Sequence, residues 1–252
     1  DRQLTDIEDD FRTIVNLLTD QIEFANVIIL NKVDLVNDDI LGVLHSAIKK
    51  LNPSAKIIET SFSKIESKEI LNTGLFDFEE AEHAAGWIEE LNKAEHTPET
   101  DEYGISSFVY RTSKPFNSER FWDYIQNKFP SNVIRSKGLF WLDSRPAQAI
   151  SWSQAGGSLK ADNAGVWWSS MPFEKRIQYV AFVDNQEHIE SSWDTYFGDR
   201  KNELVFIGQD MNEKLIRSEL DNCLSTEIEI RSEKWKQGYE DSWPVQRSFA
   251  LD

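Results

Sequence analysis

The stretch NVIILNKVDLV, residues 26–36, joins an uninterrupted aliphatic run to a group of polar side chains. A continuous β-branched and aliphatic run is typical of a parallel strand that is covered on both faces. The run ends in Asn31-Lys32-Val33-Asp34, and a helical pattern begins a few residues later. These residues predict a buried strand that presents three polar side chains on the loop before a helix.

The segments around this strand predict an α/β unit. Hydrophobic residues at helical spacing indicate an amphipathic helix over residues 5–24. Asp38 is predicted to cap a second helix, which Asn52-Pro53 ends. The run AKIIET, residues 55–60, predicts another short strand. An alternation of helix, strand, helix and strand implies a parallel sheet.

The second half of the chain has a different pattern. It predicts strands over residues 103–111, 133–144 and 202–208, helices over 117–129 and 212–224, and a hairpin at Gly156-Gly157 within 148–168. Such an order favours a compact α+β domain with one helical layer on a mostly antiparallel sheet. Core packing is expected for one group of Trp residues and for the apolar face of the last helix: Trp141, Trp152, Trp167, Trp168, Leu215, Ile216, Leu220 and Cys223.

We therefore divide the chain into four parts. Residues 1–82 are predicted to be α/β, and 102–230 to be α+β. Residues 83–101 are polar and acidic with a Pro, which predicts a linker, with a helix around Trp87. Residues 231–252 show little periodicity and are expected to pack back as an irregular tail.

The composition limits the classes of function. With 27 Lys and Arg against 44 Asp and Glu residues, the net charge is −17, which disfavours binding to nucleic acids and anionic membranes. No run of 18 apolar residues is present, so no membrane span is predicted. The single cysteine excludes an internal disulfide and fits a reducing compartment, so we expect a cytoplasmic location.

The Asn-Lys-x-Asp sequence suits recognition of guanine at the carboxyl end of a strand, where open α/β sheets bind ligands. Asp34 can accept two hydrogen bonds from the ring N1–H and the exocyclic amine, which adenine cannot provide. The aliphatic stem of Lys32 can cover a purine face, and Asn31 can hold the loop and reach ring N7. The alternative is a chance match, expected in roughly one chain in thirty of this size, with the polar residues serving only as caps.

The chain resembles the CobW family of GTP-dependent metallochaperones over nearly its whole length. Six segments in the correct order carry the resemblance: DQIEFANVIILNKVDLV, LNPSAKIIETSF, YGISSFVYRTSKPF, KGLFWLDSRP, WSQAGGSL and GDRKNELVFIGQDM. The resemblance implies that residues 1–82 are the C-terminal part of a P-loop GTPase domain. It also implies that residues 102–230 are the CobW C-terminal domain.

The same resemblance implies a set of ligands. Asn31, Lys32 and Asp34 match the guanine-specificity motif, and Thr60 and Ser61 match the loop that closes over the base; a Thr-Ser pair at a strand end is also an ordinary turn. The implied cofactor is GTP or GDP with Mg²⁺, the implied cargo is Zn²⁺ or Co²⁺, and the implied partner is a metalloprotein client.

Two family motifs are absent from the sequence. A Gly-rich P-loop, GxxxxGK[ST], does not occur, and neither does a Cys-x-Cys-Cys metal motif. The chain opens without Met inside a helical pattern, so we expect a piece of a longer GTPase that does not hydrolyse GTP by itself.

Other readings of the residues stay open at this point. His83 and His96 are thirteen positions apart with acidic neighbours, which does not suit a closed zinc site. The alternative to a GTPase fragment is a non-catalytic interaction module in which residues 102–252 bind a metalloprotein partner.

Overall fold

The computed structural model describes residues 14–77, 86–92 and 102–244. They form a two-stranded parallel sheet followed by a five-stranded antiparallel sheet, each with helices. This arrangement confirms the predicted fold class of an α/β unit followed by an α+β domain. The predicted division at residues 83–101 stays a prediction.

The parallel sheet forms from the segments that the sequence predicts. Helix α1 (Ile14–Phe24) leads into strand β1 (Val27–Asn31), and helix α2 (Asp38–Leu51) leads into strand β2 (Lys56–Thr60). The predicted cap of α2 is wrong by one residue. Asn37 is the cap, because its side-chain oxygen accepts a hydrogen bond from the backbone nitrogen of Ile40 at 2.9 Å. Asp38 instead lies in the first turn, where a negative charge favours the helix dipole.

The prediction that β1 is covered on both faces is wrong for the described residues. Ile29 in the middle of β1 is 42% exposed. Several apolar side chains around the two strands are also exposed, among them Leu35, Ile70, Leu71, Leu75 and Phe76. The physical reason is the size of the sheet, since two strands cannot cover the apolar surface that a larger α/β sheet would bury.

The second sheet has the strand order β3-β7-β4-β5-β6, with each neighbouring pair antiparallel. Its strands are β3 (Ile105–Thr112), β4 (Val133–Phe140), β5 (Gln148–Ala155), β6 (Ser158–Val166) and β7 (Asn202–Gln209). Helix α4 (Ser118–Asn127) precedes β4, and helix α8 (Glu213–Cys223) follows β7. The side-chain oxygen of Asn117 caps α4 by accepting a hydrogen bond from the backbone nitrogen of Arg120 at 3.1 Å.

The two faces of the antiparallel sheet are covered by different parts of the chain. Helices α4 and α8 cover one face and form an aromatic core with residues such as Phe108, Phe121 and Phe206. On the other face, Val205 and Ile207 pack against Leu51 of α2 and against Trp87 of helix α3 (Gly86–Asn92). The α+β domain therefore has one helical layer of its own, and the preceding elements supply the second.

One helical region and one buried position differ from the sequence prediction. The connection from β6 to β7 contains three short helices: α5 (Phe173–Arg176), α6 (Val180–Val183) and α7 (Gln186–Ser191). Leu215, predicted to be buried on α8, is 52% exposed, whereas Ile216 is 2% exposed. Adjacent positions on a helix are about 100° apart, so only one of the two can face the sheet.

The segment that follows α8 packs back on the domain as far as Trp243. Helix α9 (Glu227–Arg231) precedes most of the predicted tail, and Trp235 and Trp243 are both buried. Trp243 joins the aromatic core between the sheet and α4. The ion pair between Arg145 and Asp241 fixes the same segment, with its charged atoms almost fully buried.

Candidate functional site

The candidate site lies where the two parallel strands end. The pairing of β1 with β2 places Asn31 opposite Thr60, so the loops that follow the two strands leave the sheet side by side. Parallel strands lie about 4.8 Å apart. The sequence-predicted residues Asn31, Lys32, Asp34, Thr60 and Ser61 are therefore brought to one edge of the sheet, the edge at which α/β folds bind ligands.

Asn31 connects the two loops through its side-chain amide. Its Nδ2 donates to the Ser63 hydroxyl at 2.9 Å, and its Oδ1 accepts from the Ser63 backbone nitrogen at 3.0 Å. This double contact fixes the second loop against the end of β1. The side chain thus acts between two protein loops in the structure.

Lys32 and Asp34 form the exposed part of the first loop. Lys32 has a left-handed backbone conformation with φ 65° and ψ 33°, so the chain turns sharply away from the direction of β1 at this residue. A left-handed backbone is costly for a residue with a side chain, and such positions cluster at ligand sites. Asp34 lies in the 3₁₀ turn Val33–Leu35 and is exposed. Among residues 14–77, 86–92 and 102–244, no side chain pairs with its carboxylate.

Thr60 and Ser61 lie deeper than the first loop. Thr60 is 6% exposed, and its hydroxyl donates to the carbonyl oxygen of Lys64 at 3.0 Å. The Ser61 carbonyl accepts from the Lys64 backbone nitrogen at 3.4 Å. These contacts close the second loop on itself, and the hydroxyl of Thr60 serves that loop.

Two residues of the second loop were not predicted from the sequence. Phe62 is 80% exposed with φ 57°, and Ser63 has φ 54°. The Phe62 ring lies in solvent beside the polar residues of the same loop. The sequence feature that could have indicated these residues is Thr-Ser-Phe-Ser at the end of a predicted strand, in which one aromatic residue stands among small polar ones.

The other candidates of the sequence analysis give no second centre in the described part of the chain. No group of three or more His, Cys, Asp or Glu side chains that could hold a metal ion occurs there. His83 and His96 lie outside the described residues. Cys223 is 4% exposed, and burial raises the pKa of its thiol to about 11, which disfavours the thiolate. None of the described helices has the length and apolar composition needed to cross a bilayer.

Two family models match the chain in the order in which the two sheets occur. Residues 3–59 match the nucleotide-binding domain of CobW, HypB and UreG. Residues 105–224 match the C-terminal domain of the cobalamin synthesis protein CobW. The chain is therefore similar in sequence to both domains of CobW-family proteins. The first family match thus covers all but the last residue of the parallel sheet, and the second covers the antiparallel sheet. Helix α9 and the tail that follows it lie beyond the second match.

Relatives with assigned names match most of this chain. The zinc-regulated GTPase metalloprotein activator 1 of Dictyostelium discoideum is 43% identical over 233 residues, which cover 91% of this chain and 48% of the relative. The zinc chaperone Rv0106 of Mycobacterium tuberculosis is 23% identical over 240 residues, covering 92% of this chain and 54% of the relative. The chain therefore spans about half the length of these relatives.

A solved structure also resembles the chain. The Zn(II)-bound YjiA GTPase from E. coli aligns with a TM-score of 0.38 and 19% sequence identity, over 82% of this chain and 54% of that one.

Proposed function

We propose that this chain carries the guanine-recognition loops and the C-terminal domain of a GTP-binding metallochaperone. The observation that carries the proposal is the position of Asp34, whose exposed carboxylate has no partner in the described part of the chain and follows a parallel strand. A carboxylate at this edge can accept hydrogen bonds from a ligand. The matched nucleotide-binding domain and the names of the relatives support the same reading.

Each residue of the two loops has a separate role in this proposal. Asp34 accepts the ring N1–H and the exocyclic amine of guanine, which gives base selection because an unpaired buried group costs about 1–3 kcal/mol. Lys32 lays its methylene chain along one face of the ring. Asn31 holds the second loop through Ser63, and Thr60 and Ser61 shape that loop around the base.

The phosphates and Mg²⁺ are not assigned to residues of this chain. A GTPase holds them with a Gly-rich P-loop and its Ser or Thr hydroxyl, and the sequence lacks that motif. Phosphate contacts normally supply much of nucleotide affinity. GTP hydrolysis therefore belongs, in this proposal, to a protein that contains a P-loop half together with this chain.

The metal cargo proposed here is zinc, with cobalt as the alternative. The relatives from Dictyostelium discoideum and Mycobacterium tuberculosis carry zinc in their names. GTP binding and hydrolysis would gate delivery of the metal to a metalloprotein client in the cytoplasm. Competition between Zn²⁺ and Co²⁺ for the purified intact protein, read by elemental analysis, separates the two cargoes.

Replacing Asp34 by Asn tests the guanine role. Asn offers an amide donor where guanine presents donors, and this pairs instead with the carbonyl of xanthine. In the intact protein that carries this chain, titration with GDP should show a loss of about ten- to a hundredfold for Asp34→Asn, with a gain for XDP. Asp39→Asn is the matched control, since it removes the same charge from the first turn of α2. Unchanged GDP affinity in Asp34→Asn would contradict the assignment.

A non-catalytic interaction module is the second candidate, favoured by one exposed surface. Helices α5 and α6 and the turn between them expose apolar side chains, with Phe173, Ile177, Val180 and Val183 each at least 45% exposed. Clusters of this kind mark protein interaction sites. Capture of a metalloprotein client should fall for Val180→Asp while GDP affinity stays constant. Equal capture by the wild type and Val180→Asp would count against this surface.

A further inference from the structure

The exposed ring of Phe62 has no structural explanation within the loop that carries it. Its side chain is 80% exposed, more than that of any other described phenylalanine, and φ 57° places it in the left-handed region. Ser63 follows with φ 54°. Left-handed residues with side chains persist only where their surroundings hold them, and they are frequent at ligand sites.

Hydrogen bonds on both sides of Phe62 hold the loop that carries it. Asn31 binds both the hydroxyl and the backbone nitrogen of Ser63, so the loop is fixed one residue after Phe62. The Thr60 hydroxyl bonds to the carbonyl of Lys64, which fixes the loop on both sides of the ring. Four contacts of polar groups thus keep an apolar ring in water at the ligand-binding edge of the sheet.

We propose that Phe62 stacks on the purine ring whose edge Asp34 reads and whose other face Lys32 covers. This inference rests on the proposed function, because it assumes that the base lies at the two loops. Lys32 and Phe62 lie on neighbouring loops, because these loops leave the sheet at the paired residues Asn31 and Thr60. In this proposal the purine ring lies between the two side chains. The Phe62 ring and the lysine stem then form the two walls of a slot.

Stacking and edge recognition make different contributions to binding. A carboxylate distinguishes guanine from adenine or xanthine, whereas an aromatic face stacks on every purine with similar strength. Phe62 is therefore expected to add affinity without changing base selection. That difference separates a stacking residue from a residue that reads the edge of the base.

The test uses Phe62→Ala in the intact protein that carries this chain, with GDP titrated calorimetrically. Affinity for GDP should fall about tenfold. In the Asp34→Asn background, affinity for XDP should fall by the same factor when Phe62→Ala is added. Phe62→Trp should retain binding, and its fluorescence should be quenched when GDP is added.

Phe76→Ala is the matched control. Phe76 is an exposed phenylalanine at 69%, and the neighbouring carbonyl of Leu75 accepts a hydrogen bond from Asn26 at the start of β1, at the opposite edge of the sheet. GDP affinity should be unchanged in this variant. An equal loss in Phe76→Ala and Phe62→Ala would overturn the stacking role.

The outcomes separate this inference from the function on which it rests. If Phe62→Ala binds GDP as the wild type does while Asp34→Asn weakens it, the stacking role is wrong and guanine recognition stands. If neither Asp34→Asn nor Phe62→Ala changes GDP binding, both assignments are wrong. If Phe62→Ala lowers GDP and XDP affinity by unequal factors, Phe62 reads the base edge and the stacking role is overturned.

Discussion

Glu23 and Arg135 form a fully buried bidentate ion pair between the two sheets. Arg135 Nε lies 2.7 Å from Glu23 Oε1, and Arg135 Nη2 lies 3.0 Å from Glu23 Oε2, with both side chains inaccessible to solvent. Glu23 lies in α1, within the part that matches the nucleotide-binding domain, and Arg135 lies in β4, within the part that matches the CobW C-terminal domain. The pair thus fixes the position of one matched domain on the other.

Further polar groups complete this contact. Asp20 accepts from Arg135 Nη2 at 2.9 Å, and Lys137 approaches Glu23 at 3.3 Å while its ammonium lies over the Trp87 ring. Buried ion pairs are weak sources of net stability, but loss of one partner leaves an uncompensated buried charge. Because α1 continues directly into β1 and the Asn31 loop, this arrangement also sets where the candidate site lies relative to the C-terminal domain.

Removing one partner of this pair should be costly. Glu23→Ala leaves a guanidinium buried without its main counter-ion, and we expect the free energy of unfolding to fall by about 3–5 kcal/mol. Urea denaturation followed by tryptophan fluorescence measures this loss. Glu213→Ala removes the partner of Arg217 in a half-exposed pair and should cost below about 1 kcal/mol.

A double replacement sharpens the test of the same pair. Glu23→Leu combined with Arg135→Met removes both charges and keeps apolar volume, so it should restore most of the stability lost in Glu23→Ala. If Glu23→Ala costs no more than Glu213→Ala, the pair does not fix the two domains in solution.

The last described segment of the chain should be essential for folding although it lies beyond the family matches. Trp243 is 5% exposed, lies 5.6 Å from the Phe121 ring centre and donates its indole nitrogen to the Ser118 carbonyl at 2.8 Å. Trp243→Ala should lower the free energy of unfolding by about 3–5 kcal/mol through the cavity that it leaves.

Trp243→Phe serves as the control for this prediction. It keeps a ring against Phe121 and loses only the indole hydrogen bond and part of the volume, so a smaller loss is expected. Equal thermal midpoints for the wild type and Trp243→Ala would show that the tail is not part of the core.

The ion pair of Glu229 and Arg120 should make stability depend on pH in the acid range. The Arg120 guanidinium lowers the pKa of Glu229 to about 2, helped by hydrogen bonds from Thr226. A lowered pKa stabilises the folded state above the pKa of the unfolded chain, near 4.5, and this contribution is lost as the pH falls toward 2. Because the Glu229 side chain is 39% exposed, solvent screening limits the effect to about 1 kcal/mol.

Glu229→Gln tests this dependence. Denaturant midpoints of the wild type and the variant should differ at pH 5 and converge toward pH 2, since protonated Glu and Gln are then alike. A difference that stays constant from pH 5 to pH 2 would show that this carboxylate does not titrate with folding.

The sequence predicted the elements whose hydrophobic pattern matches their burial. Helix α8 buries Ile216, Leu220 and Cys223, which are spaced at four and three residues, and β1 was found from its aliphatic run. Helices α5 to α7 were missed because they are short and several of their apolar residues are exposed, as Val180 is at 73%, although Phe182 is fully buried. Exposure of Ile29 was also unpredictable, since periodicity cannot tell how many strands a sheet contains.

The first loop of the candidate site could be predicted from the sequence, but the contacts and exposure of the second loop could not. Asn31 ends β1, and Lys32 and Asp34 come directly after it, so their placement at one edge of the sheet follows from the strand itself. The contact between Asn31 and Ser63 depends on the pairing of two strands far apart in sequence. The exposure of Phe62 depends on backbone angles that a single aromatic letter does not reveal.

Cys223 should resist thiol reagents while the protein is folded. Its side chain is 4% exposed on α8, and its Sγ contacts the carbonyl oxygens of Glu219 at 3.2 Å and Arg120 at 3.7 Å. Burial raises the pKa of the thiol to about 11, so at pH 8 the reactive thiolate is scarce as well as inaccessible. Reaction with Ellman's reagent at pH 8 should therefore be limited by unfolding, and its rate should rise with urea in parallel with the unfolded fraction.

The destabilised Trp243→Ala variant should react faster in buffer than the wild type, because Trp243 belongs to the same core as Cys223. Rapid labelling of the folded wild type at a rate independent of urea would show that the thiol is open to solvent.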